Sequence, residues 1–133
     1  MSVNDVAVHY GRPVSMIATV AVDDYDVVII GTGCNEVIKA SGVTSRALGV
    51  VRNGAAAGSS VSVYGHTGDV YLCRVSATGA TAGAVVGPAA DGEVGDVTPG
   101  TTSALAVGIA LKTGAVNDII PVLWQPCVVV THA

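Results

Sequence analysis

From Val14 onward no stretch of this chain keeps a helical period for three turns without meeting a glycine; short apolar runs are instead cut by turn residues about every 8–12 positions. A chain built this way cannot lay down long amphipathic helices. It can form short strands whose alternate residues face opposite sides. Strands are expected over 14–22 and 25–30, on either side of Asp23-Asp24, with Gly31-Thr32-Gly33 as a break. Residues 36–40 read as a short strand or a single helical turn. Further strands follow at 47–51, around Val61 and Val63, and at 70–75, with Gly65-His66-Thr67-Gly68 as a turn. Residues 84–87 and Glu93-Val94 flank Pro88-Ala89-Ala90-Asp91-Gly92, a hairpin turn whose Asp-Gly tolerates positive φ. Leu105, Val107, Ile109 and Leu111 alternate with Ala104, Ala106, Gly108 and Ala110, and the last strand spans 119–124, where Pro121 suggests a sheet edge. The expected fold class is all-β: a small barrel or sandwich of about 7–10 short antiparallel strands with Gly/Ala-rich turns and little helix. Residues 1–13 read as an N-terminal arm and 14–133 as a single β-rich domain.

Composition bears on what such a domain does. Half of the 133 residues are hydrophobic, yet aromatics are only 4%, Phe is absent and Gly numbers 17. Charged residues are 12%, about half the usual share, and mean hydropathy is +0.61. A small domain hides that much apolar surface poorly by itself, which implies an oligomer or an assembly component. No apolar run approaches the roughly 20 residues of a spanning helix, so no membrane partner is expected. The opening Met1-Ser-Val-Asn-Asp-Val lacks the basic and apolar regions of a signal peptide. The net charge of −4, without a Lys/Arg cluster, gives no nucleic-acid footprint.

Chemical motifs are weak. Asp26-Val27-Val28-Ile29-Ile30-Gly31-Thr32-Gly33 looks like the first strand and turn of a dinucleotide site, but position 36 is Glu rather than a third Gly, and Gly42 comes too soon for a full helix. A strand running into a glycine turn is the better reading. Cys34, Cys73 and Cys127 fit neither a disulfide framework nor a zinc spacing. His9, His66 and His132 are far apart. Ser62, His66 and Asp69 could be imagined as a hydrolytic set, but the nucleophile elbow is missing. No catalytic, cofactor or metal residues are therefore expected, and the chain does not read as an enzyme. Tyr64 and Tyr71 read as residues of a half-exposed strand face. Trp124 reads as a core plug, with an interface anchor as the sharper alternative.

An internal echo is visible. Gly49 in Ala47-Leu48-Gly49-Val50-Val51 is followed by Gly54-Ala55, then by Val61 and Val63 at +12 and +14. Gly108 in Ala106-Val107-Gly108-Ile109-Ala110 is followed by Gly114-Ala115, then by Ile120 and Val122 at the same offsets. Read as structure, the echo describes two hairpins. Gly49 and Gly108 should then lie where another backbone approaches their strands.

The run Ala47-Leu48-Gly49-Val50-Val51-x-Asn53-x-Ala55-Ala56-Ala57-Gly58-x-x-Val61-x-Val63, with Gly65 after it, resembles the capsid cement or head decoration proteins of tailed bacteriophages. Gly79-Ala80-Thr81-Ala82-Gly83-Ala84-Val85-Val86, Asp91-Gly92-Glu93-Val94, Val107-Gly108-Ile109-Ala110-Leu111 and Ile120-Pro121-Val122-Leu123 are similar to later parts of that pattern, so the resemblance covers about residues 40–124. Ser59 stands where those proteins commonly carry an acidic residue.

The resemblance implies a small β domain without catalytic residues or cofactors. It would be made in the host cytoplasm, self-associate as a homotrimer, and bind the major capsid protein on the outside of the expanded capsid. Val6, Val8, Tyr10, Gly49, Gly108 and Trp124 are the candidate capsid or oligomer contacts. Another virion component, such as a head-fibre base or tail-tube protein, and a small carbohydrate-binding β domain or enzyme stay open beside it.

Overall fold

The computed structural model describes residues 12–42, 45–97 and 104–129. Ten strands account for nearly all of its regular structure: β1 Val14–Ala18, β2 Val27–Ile30, β3 Glu36–Lys39, β4 Gly49–Val51, β5 Ser60–Tyr64, β6 Val70–Arg74, β7 Val85–Pro88, β8 Val94–Asp96, β9 Ala104–Ala110 and β10 Ile119–Val129. A single 3₁₀ turn, Ala90–Gly92, joins β7 to β8 with Asp91 and Gly92 at positive φ. The segment with the dinucleotide look runs from β2 through a glycine turn into antiparallel β3.

The first five strands close into a barrel in the order β1-β3-β2-β4-β5, with β5 returning to β1. The last five form a sheet in the order β6-β10-β9-β7-β8. The two halves are the same unit twice. Val27 pairs with Val50 and Val28 with Gly49; Val85 pairs with Ile109 and Val86 with Gly108. Lys39 faces Val28 as Asp96 faces Val86. Every matched pair is separated by 57 to 59 residues. Where parallel pairing of β1 with β3 closes the barrel at Ala18–Val37, the second half has one parallel bridge, Val75–Val94, at the matching position. The second sheet is thus the same barrel, with its seam held by that bridge and by the Ser76 amide donating to the Val94 carbonyl at 2.8 Å.

A hook recurs four times. An isolated bridge residue leads into a tight turn whose third residue has positive φ, and a strand follows. Val22, Ala55, Ala80 and Gly114 are the bridge residues; Tyr25, Gly58, Gly83 and Asn117 carry the positive φ. Val22 and Ala55 exchange both backbone hydrogen bonds, as do Ala80 and Gly114, so each barrel is pinned by its own pair of hooks. The hooks explain why the strand expected over 14–22 stops at Ala18 and the one expected over 25–30 starts at Val27.

Side-chain alternation fills the barrels. Met16, Ala18, Val28, Val37, Val51, Val61 and Val63 point into the first. Their counterparts Cys73, Val75, Val86, Val94, Ala110, Ile120 and Val122 point into the second. The outward faces of β2 and β4 supply Val27 and Val50, which join the second barrel's cluster with Ile29, Ala47 and Tyr64 packed against it. Each fully buried valine contributes about 1.5–3 kcal/mol.

Two expectations need correction. Pro121 is not at an edge, because β10 pairs with both β6 and β9. Its carbonyl accepts from the Leu111 amide at 2.9 Å, one residue past the end of β9, so the missing N–H forgoes only the reciprocal bond at the end of that ladder. Tyr71 is not half-exposed but buried at 1%.

Candidate docking surface

Three of the six contact candidates fall among the described residues. Val6, Val8 and Tyr10 lie outside the described residues. Gly49 and Gly108 occupy one repeat position, and the backbone that approaches them belongs to this chain. A methyl on Gly49 would come 2.5 Å from the Tyr64 carbonyl, and one on Gly108 would overlap the Leu123 carbonyl, the matching atom. Trp124 is fully buried, edge-on to Tyr71 with ring centroids 5.7 Å apart. Its indole Nε1–H lacks a hydrogen-bond partner. Gly49, Gly108 and Trp124 therefore sit inside the fold, and outer surfaces must be sought elsewhere.

The junction between the barrels holds a buried charge. Asp26, immediately before β2, has no exposed surface. Its carboxylate accepts from Arg74 Nη1 at 3.0 Å and from the Asp23 amide at 2.8 Å, and Lys39 Nζ lies 3.4 Å away. Arg74 also donates to the Asp24 carbonyl at 2.7 Å, so one guanidinium at the end of β6 grips the first barrel twice. Gly92 fits this junction closely: it leaves no room for a Cβ beside Asp26, and its amide donates to Ala40. Lys39 bonds Asp23 at 2.9 Å; this hydrogen bond holds the Asp23 carboxyl below its ordinary value and the lysine above its own.

Among the described residues, two apolar openings face solvent. One, of about 350 Å³, lies at a mouth of the first barrel among Val14, Met16, Ile30, Leu48, Val63 and Gly65, with Arg12 and His66 at its rim. Val14 is 61% and Ile30 56% exposed there. The other, of about 240 Å³, lies where β10 bulges between Trp124 and Cys127, and is lined by Arg46, Ala47, Leu105, Ala106, Pro126 and Cys127.

A larger and more polar opening, of about 590 Å³, lies beside the junction cluster among Val22, Asp23, Asp24, Gly54, Ala55, Ala56 and Arg74. His66 Nδ1 is 3.7 Å from Asp69, whose other carboxylate oxygen accepts from the Tyr71 hydroxyl at 3.2 Å. That hydroxyl also accepts from the His66 amide at 2.8 Å, so the cluster braces the link between β5 and β6. Cys34 and Cys127 are exposed, whereas burial pushes the Cys73 thiol up to about 12. Among the described residues no three of His, Cys, Asp and Glu come together as a metal site, and no helix is long and apolar enough to cross a membrane.

No family model matches the sequence, and no curated protein matches it either. Among solved structures, the crystal structure of the head fiber gp8.5 N base in bacteriophage phi29 is similar, with a TM-score of 0.69. The match covers 85% of this chain and 92% of that one at 14% identity. At that identity the likeness establishes a shared fold.

Proposed function

We propose that the chain is a non-enzymatic structural component of a bacteriophage particle, seated on the outside of the head and bound there to the major capsid protein. The observation that carries this reading is the fold shared with the phi29 head fiber base over 92% of that protein's length. The resemblance of residues 40–124 to head decoration proteins supports it from the sequence side. The physical design suits a passive docking part. Two small barrels are locked together by a buried ion cluster, and two of their openings present apolar surface to a partner.

In the finer form of the proposal the protein is a cement. Homotrimers at three-fold points of the shell would contact neighbouring capsid subunits equivalently. Several weak contacts made together raise the effective concentration of each. A ligand that prefers the expanded shell resists its disruption by mass action. A second reading, the base of a head fibre, is favoured by the identity of the structural neighbour. Purified protein mixed with expanded heads and sedimented should co-migrate under either reading. Heating separates them: heads with cement survive higher temperature than bare heads, whereas a fibre base leaves the shell's melting unchanged. Failure to co-sediment refutes both.

A further inference from the structure

The junction between the barrels uses a different surface of each repeat. On the first barrel it uses the outward face of β2 and β4, where Val27 and Val50 are buried and Ile29 and Tyr64 pack beside them. On the second barrel it uses the mouth: Tyr71, Val107 and Trp124 belong to the same buried cluster, and the rings of Tyr64 and Tyr71 lie 6.3 Å apart. Matching the repeats finds each surface once more, outside that junction. The first barrel's mouth carries Val14, Leu48 and Gly65 where the second carries Tyr71, Val107 and Trp124, and it is the open apolar groove of about 350 Å³. The second barrel's face carries Val85 and Ile109 where the first carries Val27 and Val50. Val85 is 37% exposed, and Ile109 and Leu123, paired beside it across the sheet, are half-buried.

We propose that this groove and this face bind each other between two copies of the chain, repeating head to tail the junction that each copy already makes within itself. The occupant of the groove is thus the second barrel of a neighbouring copy, and the contact continues an established interface. The charged pair at the junction supports this. Asp26 and Arg74 meet there at 3.0 Å. Their repeat counterparts are Ala84, just before β7, and Ile17, on the outward side of β1. Both members change together from charged to apolar, so the repeated contact buries neither an unpaired acid nor an unpaired base. The backbone matches as well. Gly92 donates its amide to the Ala40 carbonyl across the junction, and its counterpart Asn35 shares its positive φ. A contact between unlike surfaces is heterologous: each copy offers one of each, and a ring forms when the rotation closes. The inference concerns the free chain and does not rest on the virion role.

The test is light scattering on the purified full chain, whose parent form should have the mass of two or more copies. Val85→Lys on the face and Ile30→Lys at the groove change exposed positions, so each should keep the parent's β circular dichroism spectrum and yet be monomeric. Val14→Lys is a second groove variant in case Ile30→Lys fails to fold. Mixed in equal amounts, the face variant and the groove variant should form a particle of two chains, because each keeps the half that the other lacks. A monomeric parent, a folded variant that keeps the parent's mass, or a mixture that stays monomeric overturns the proposal. Co-sedimentation with heads is a separate measurement, so self-association and capsid binding can each fail alone.

Discussion

Removing Arg74 should strip a fully buried carboxylate of its shortest charged partner. Breaking a buried pair from one side costs about 3–5 kcal/mol. Here the cost is reduced, because the Arg74 side chain keeps 21% of its exposure and Asp26 retains Lys39 at 3.4 Å and the Asp23 amide. A loss of about 2–3 kcal/mol is expected for Arg74→Ala. With an unfolding entropy near 2.1 cal/mol/K per residue, a chain of 133 residues should melt about 7–11 °C lower. Thermal melts by circular dichroism would read this, and a double-mutant cycle with Asp26→Asn would isolate the pair. The double variant should lose about 1–2 kcal/mol less than the two single losses combined. Because the pair is buried, 1 M salt should not erase the difference. A cycle that adds within error, or a melting temperature for Arg74→Ala within about 1 °C of the parent, would refute the view that this cluster locks the barrels together.

Gly108→Ala should destabilise by about 2–3 kcal/mol, since its methyl overlaps the Leu123 carbonyl, while Gly42→Ala, with nothing within 4 Å, should be near neutral; equal urea midpoints would contradict the close-approach account. Native alkylation at pH 8 should modify Cys34 and Cys127 and spare Cys73, whose thiol is buried and pushed up to about 12; mass spectrometry finding all three modified without unfolding would refute this. The Lys39–Asp23 contact gives a pH signature. The lowered carboxyl of Asp23 stabilises the fold above its ordinary 3.8, and that contribution disappears as pH falls through the folded value. The raised Lys39 contributes below its ordinary 10.5, and that contribution disappears as pH climbs through the folded value. The melting difference between parent and Lys39→Met should therefore be small but largest between these limits and shrink outside them; a difference undiminished at pH 3 would contradict it.

The strands were legible because inward residues alternate with small or polar ones, as in Val61-Ser62-Val63. The repeat was only half legible. Gly49 and Gly108 keep their identity because their Cβ positions are occupied by a neighbouring carbonyl. The other strands keep only inward parity: Met16 corresponds to Cys73, Ala18 to Val75 and Val37 to Val94, exchanges that a packed interior tolerates and a search for echoes misses. The echo therefore read as two hairpins rather than two barrels. The candidate surface was harder still. Asp26 sat in a segment that resembled a nucleotide-binding strand, and its partner Arg74 is 48 positions away, a pairing that only the tertiary fold brings together. The sequence around Trp124 fits core and anchor alike; its burial comes from the repeat, which puts an aromatic ring where the first barrel has Gly65.

Electron cryo-microscopy of the phage heads, assembled with the chain and without it, tests the central claim most directly. The account predicts added density on the outer surface of the shell into which the paired barrels fit, in contact with the major capsid protein. Identical maps with and without the chain, or density confined to the tail, would contradict it.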